Sequence, residues 1–151
     1  QKVVVSGYGF VKRVVDGDTY IIQPKESSVI KSFRAHAPAK ALKKLSGNTV
    51  TIRLASVDTP ESNHTDKSRN SMKGKIVKAA VKRALQNKEV YFKCFDYGYY
   101  GRAICNVELV LGNSQQDIGY WLIKSKFSKY IRKYGDNPFN HSEYMKVSGQ
   151  Y

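Results

Sequence analysis

Acidic residues are scarce in this chain: 12 Asp and Glu stand against 26 Lys and Arg in 151 residues, a formal charge of +14. That imbalance disfavours basic partners and points to a polyanion, nucleic acid first. Long apolar runs are missing too. Nothing approaches the ~18 residues that a membrane-spanning helix needs, and an anionic membrane surface as partner would need a basic amphipathic helix with large apolar residues opposite. No membrane partner is therefore expected. Cysteine is limited to Cys94 and Cys105, whose separation is not that of a zinc finger. His36, His64 and His141 show no ligand spacing, which argues against a histidine-held metal. Internal repeats and low-complexity tracts are absent, and the length suits one compact domain over residues 1–151. What the chain does have is tyrosine, 11 residues, which fits contacts to bases as well as a β-rich surface.

Strand character runs over residues 8–15, turns at Gly17, and resumes over 19–23 until Pro24 stops it. Residues 24–48 lose it and form a basic stretch, with a short helical pattern at 39–45. Alternation returns at Val50, Ile52 and Leu54 and ends before Pro60, and a polar loop, 61–71, follows. The clearest helix spans about 72–86, with Val77, Ala80, Val81, Ala84 and Leu85 on one stripe and lysines opposite. Two strands, 90–95 and 103–111, flank the turn D-Y-G-Y-Y-G, a second helix is predicted from about Ser114, and a helical turn near 141–147. This order predicts an α+β, mainly β fold: a five-stranded OB-fold barrel flanked by helices, with an insertion between the second and third strands.

Against the basic background, V-D-G-D-T at 15–19 and V-D-T-P-E at 57–61 concentrate acids. Asp18 and Asp58 each end a strand. Two carboxylates and a carbonyl make a hard oxygen site that prefers Ca²⁺, Mg²⁺ or Mn²⁺ to zinc and leaves room for water and a phosphate. Arg53 and Arg102 are suited to clamp a phosphoryl group, and they stay charged at any working pH. Glu61 is the carboxylate placed to take a proton from water. Taken alone, D-G-D also reads as a plain turn and Asp58 with Glu61 as a capping pair.

D-G-D-T at 16–19, R-L-x-x-V-D-T-P-E at 53–61 and Y-G-R at 100–102, in that order, resemble the staphylococcal nuclease (thermonuclease) family over about residues 14–134. The resemblance implies an OB-fold, Ca²⁺-dependent phosphodiesterase acting on DNA and RNA and leaving 3′-phosphate and 5′-hydroxyl ends. It implies that Asp18 and Asp58 ligate the cation through side chains and Thr59 through its carbonyl. Glu61 would activate water, and Arg53 and Arg102 would stabilise charge on phosphorus. Tyr100 and Tyr134 match substrate-contacting tyrosines, Tyr99 stands where a lysine is often found, and Tyr130 reads as core.

Three features depart from the family. The 35 positions from Asp18 to Arg53 far exceed its short turn. About six strand residues at ~3.3 Å each would put the basic insertion, 24–48, roughly 20 Å from the cation, as an accessory lobe for nucleic acid, for a protein partner, or for solubility alone. The family's C-terminal helix is expected to be cut short, since the chain stops at V-S-G-Q-Y, which leaves less surface to cover the barrel, so that stability must come from elsewhere. Cys94 falls opposite Cys105 if the loop is 98–101, which allows either a cross-strand disulfide or two buried thiols. A disulfide, together with a first residue Gln1 in place of Met, would favour a secreted or periplasmic location. The sequence therefore supports a metal-dependent endonuclease, expected to be a monomer. The alternatives are a catalytically silent nucleic-acid-binding OB module and an interaction protein working through the insertion.

Overall fold

The computed structural model describes residues 3–43, 45–61 and 71–149. Its strands are β1 (Val5–Asp16), β2 (Thr19–Pro24), β3 (Leu45–Ser46), β4 (Thr49–Leu54), β5 (Glu89–Tyr97), β6 (Ala103–Leu111) and β7 (Ser114–Asp117). The helices are α1 (Ser27–His36), α2 (Ala39–Leu42), α3 (Met72–Leu85), α4 (Ile118–Lys124) and α5 (His141–Ser148). Strands β4, β2, β1, β5 and β6 form a closed barrel. Its seam is the parallel pairing of β4 with β6, where Ile52 faces Ala103, Arg53 faces Ile104 and Leu54 faces Cys105. β3 and β7 extend the sheet at its two edges. The fold is thus mainly β and consistent with the OB-type barrel expected.

Alternating side chains of the strands fill the barrel: Val11, Tyr20, Ile22, Ile52, Leu54, Val90, Phe92 and Val107 are all buried. α3 lies against β1 and buries Val77, Val81 and Leu85, while its lysines stay largely outside, as the helical stripe predicts. Ser71 caps this helix by accepting the Gly74 amide at 2.8 Å. The polar loop after Glu61, with His64, lies outside the described residues.

The structure differs from the sequence reading at four places. Residues 27–36, in the stretch read only as lacking strand character, form α1. Its stripe is only Ile30 and Phe33 with the half-buried Val29, too short to stand out from the surrounding lysines and serines. Phe33 is fully buried and stacks on Phe92 at 6.1 Å between ring centroids, so the insertion contributes to the barrel core and is no mere surface elaboration. The helix predicted from Ser114 begins at Ile118. Residues 114–117 pair with β6, and Asp117 is the cap that accepts the Tyr120 amide at 2.8 Å. Cys94 does face Cys105, but a bulge between Cys94 and Asp96 moves Tyr97 opposite Ala103, one residue beyond the expected partner Arg102. The fourth difference concerns the reach of the insertion, taken up with the site below.

Of the two options for the cysteines, the structure has the disulfide, with Cα atoms 3.9 Å apart. Cover for the far side comes from α5, packed on α4. Tyr144 is buried and donates its hydroxyl proton to Asp117, and burial pushes the Tyr144 phenol well above its ordinary range. Tyr130 is core, as expected. Its hydroxyl accepts the Asn137 amide at 2.7 Å, while Asn137 and Asn106 exchange side-chain hydrogen bonds at 2.9 and 3.0 Å.

Truncating the insertion's plug should unseat it. Phe33→Ala is expected to cost about 3 to 5 kcal/mol of unfolding free energy, read as a lower midpoint in urea; a change within error would mean that α1 does not support the barrel.

Candidate active site

The site forms where β4 leaves the barrel. Leu54 donates its amide to the Asp18 carbonyl at 2.8 Å and Ala55 to the Cys105 carbonyl at 2.9 Å, so the ladder continues to the corner. Ser56 then turns the chain with φ of 67°, a left-handed conformation uncommon for a residue with a side chain. Partners from the C-terminal segment hold this corner. The Ser56 carbonyl accepts the Ile131 amide at 2.8 Å, its hydroxyl accepts from Asn137 at 3.0 Å, and the Asp58 amide donates to Ser128 Oγ at 2.8 Å.

Arg53 ties the corner from inside. Its Nη1 donates to the carbonyls of Leu54 and Val57 at 2.7 and 2.9 Å, and its Nη2 lies 3.4 Å from Asp18 Oδ2 and 3.6 Å from Asp58 Oδ1. The first pair are tight hydrogen bonds. The second pair are longer ionic contacts, whose oxygens can be shared with another cation. Asp18, only 6 % exposed, also accepts the Thr59 amide at 2.9 Å. Asp58 is largely exposed. Partial desolvation and then the charge of Asp18 push its carboxyl above the ordinary range, with Arg53 opposing.

Why Gly17 separates the two acids is now visible. A Cβ there would come within 2.7 Å of Thr59 Oγ1 and 2.9 Å of Val77 Cγ1, so a side chain would wedge the turn off both the acidic loop and α3. Thr59 is buried, and among the described residues its hydroxyl has no hydrogen-bond partner. Tyr20 closes the floor, its phenol donating to the Gly17 carbonyl at 2.6 Å; burial and then Asp18 raise its pKa well above the usual value.

Arg102 enters from the β5–β6 turn and donates to Thr19 Oγ1 at 3.1 Å. Burial, then the nearby Arg53, lower its pKa from the ordinary arginine value. Glu61 is half-buried at the end of the described loop, three residues from Asp58, and its carbonyl accepts the Ser71 amide at 3.2 Å at the start of α3. Asp18, Asp58, Thr59, Arg53 and Arg102 thus belong to one connected constellation, with Glu61 on the same loop. Tyr100 is 67 % exposed beside Arg102. Tyr134 is 89 % exposed with Lys133 over its ring, and no described contact ties it to the acids.

For a cation, the donor set is oxygen alone. Among the described residues no group of three or more His, Cys, Asp or Glu side chains converges, so the two carboxylates would leave positions for water and substrate. Hard cations such as Ca²⁺ fit such a set better than zinc does. The repulsion between Asp18 and Asp58 is a second feature that a cation would relieve.

The family profile described as staphylococcal nuclease homologue matches residues 51–150. The chain belongs to the staphylococcal nuclease family. Membership points to a nuclease-type, nucleic-acid-binding domain. Comparison with curated proteins gives no match. The matched segment holds Arg53, Asp58, Thr59, Glu61 and Arg102 but not Asp18, which the β2–β4 pairing brings to it by setting Thr19 opposite Arg53.

The insertion also lies outside the match, and it is not the remote lobe expected from its length. α2 sits against the β5–β6 turn: a Cβ on Gly101 would lie 2.6 Å from the Lys40 carbonyl and 3.0 Å from Ala41 Cα. The chain folds back after α1 because Phe33 must reach Phe92, and that return brings α2 beside Arg102.

Gly17→Ala is expected to destabilise the protein by about 1 to 3 kcal/mol through overpacking, seen in denaturant unfolding. Unchanged stability would show that the contact with Thr59 and Val77 does not constrain the acidic loop.

Proposed function

We propose that this protein is a calcium-dependent endonuclease that hydrolyses phosphodiester bonds of DNA and RNA with little sequence specificity, giving 3′-phosphate and 5′-hydroxyl ends. The observation that supports it most is the convergence of two carboxylates and two arginines, Asp18, Asp58, Arg53 and Arg102, in a member of a nuclease family. Asp18, Asp58 and the Thr59 carbonyl would hold Ca²⁺, or Mg²⁺ or Mn²⁺ in its place. The bound ion supplies positive charge where the substrate phosphate docks.

Glu61 acts as general base on the attacking water. The water oxygen bonds to phosphorus, its proton passes to Glu61, the P–O5′ bond breaks, and the 5′ oxygen leaves and takes a proton from solvent water, to which Glu61 returns its own. Arg53 and Arg102 stabilise the charge gathered on the phosphoryl oxygens in the transition state. Arg53 does so with its outward edge, since Nη1 is committed to the corner carbonyls. Tyr100 and Tyr134 contact the substrate. The net charge of +14 adds attraction without sequence preference. No helix among the described residues is long and apolar enough to cross a membrane, and the Cys94–Cys105 bond suits an oxidising compartment, secreted or periplasmic. The protein works as a monomer.

Plasmid and single-stranded DNA should be degraded in Ca²⁺ and left intact in chelator. Glu61→Ala should retain nucleic-acid binding while the rate falls by about 10²- to 10⁴-fold. Full activity in that variant, or indifference to chelator, would refute the mechanism; binding without any cleavage would identify a silent OB module instead.

A further inference from the structure

The insertion and the β5–β6 turn together form a row of side chains, two of which, Lys40 and Tyr99, are exposed and not used by the proposed chemistry. Tyr99 is 81 % exposed and meets Tyr100 edge to face at 5.1 Å between centroids. Lys40, exposed on α2, sits with Nζ 4.8 Å from the Tyr99 ring centroid, and Arg102 lies 5.7 Å from the Tyr100 ring centroid. The row therefore runs Lys40, Tyr99, Tyr100, Arg102, and from Arg102 through Thr19 to Asp18. Its backbone is set firmly. Gly101 is buried under α2 with φ of +83°, which a side chain would oppose both by conformation and by collision, and Ala41 and Phe33 anchor the insertion into the body of the protein.

We propose that Lys40 and Tyr99 form a subsite for single-stranded nucleic acid, flanking the phosphate that is cut. An unpaired base stacks on the Tyr99 ring, and the Lys40 ammonium meets the backbone phosphate of the same stretch. Lys40 comes from the insertion and lies outside the matched family segment, whereas Tyr99 falls within it. Three observations carry the inference. Tyr99 holds a large ring in solvent, next to a second exposed ring, and a ring in that state is available for stacking worth about 1 to 3 kcal/mol per base. A cation lies over each ring, Lys40 over Tyr99 and Arg102 over Tyr100, so charge for a backbone phosphate stands beside the surfaces on which bases would stack. The row also ends on Arg102, so a strand lying along it arrives at the acidic pair. A duplex keeps its base faces stacked on each other, so this subsite favours unpaired over paired substrate.

The inference rests on the nuclease reading for the direction of the strand, but its test does not need cleavage. Fluorescence anisotropy of a labelled oligothymidylate and of a hairpin duplex, both in chelator, compares the protein with Tyr99→Ala, Tyr99→Trp and Lys40→Ala. Tyr99→Ala is expected to weaken single-strand binding by about 5- to 100-fold and duplex binding by about 2-fold or less, with Tyr99→Trp restoring it. Lys40→Ala should lower the salt slope of single-strand binding by about 0.7. Equal losses on both substrates, or no loss from Tyr99→Ala, would overturn the subsite while leaving the cleavage chemistry standing. Conversely, a protein that binds as expected but does not cut would keep the subsite and refute the nuclease.

Discussion

Arg53 is the side chain on which this site depends. One face of its guanidinium ties two backbone carbonyls of the corner after β4, and the other faces Asp18 and Asp58. Partial burial first, and then the charge of Asp18, raise the pKa of Asp58, and the arginine opposes that rise while it draws the two acids to one place. Because those ionic contacts are long, they hold the carboxylates near one another without saturating them. The barrel serves this arrangement: β2 and β4 deliver Asp18 and Arg53 in register, and the C-terminal segment braces Ser56 and Asp58 from outside.

Much of this was legible in the sequence because it rests on local chemistry. V-D-G-D-T and V-D-T-P-E mark strand ends by turn residues and acids together, and the α3 stripe follows helical period from Val77 to Leu85, about two and a half turns. Cys94 and Cys105 could be set opposite one another from the hairpin alone, even though the loop register was off by one. A bulge leaves no mark in alternation when it falls next to the loop, where pairing ends in any case.

What could not be read depends on contacts between distant segments. α1 carries only a short apolar stripe, and Phe33 announces itself as core only once Phe92 is seen above it. Ser114 and Asp117 both have the chemistry of a helix cap. Pairing of 114–117 with β6 decides between them, and the turn dipeptide Gly112-Asn113 was the local signal for that hairpin. The length of the insertion suggested distance from the site, whereas the buried Phe33 folds it back onto the turn that bears Arg102. A segment that looked like an appendage thus contributes Phe33 to the core and lies against the β5–β6 turn.

The account stands or falls on whether the two acids hold a cation. The most direct measurement is a calcium titration by calorimetry, with a non-hydrolysable oligonucleotide analogue present, on the protein and on Asp18→Asn. One calcium per chain, lost or strongly weakened in the variant, is the predicted result; no calcium binding, or binding unchanged by Asp18→Asn, would contradict it.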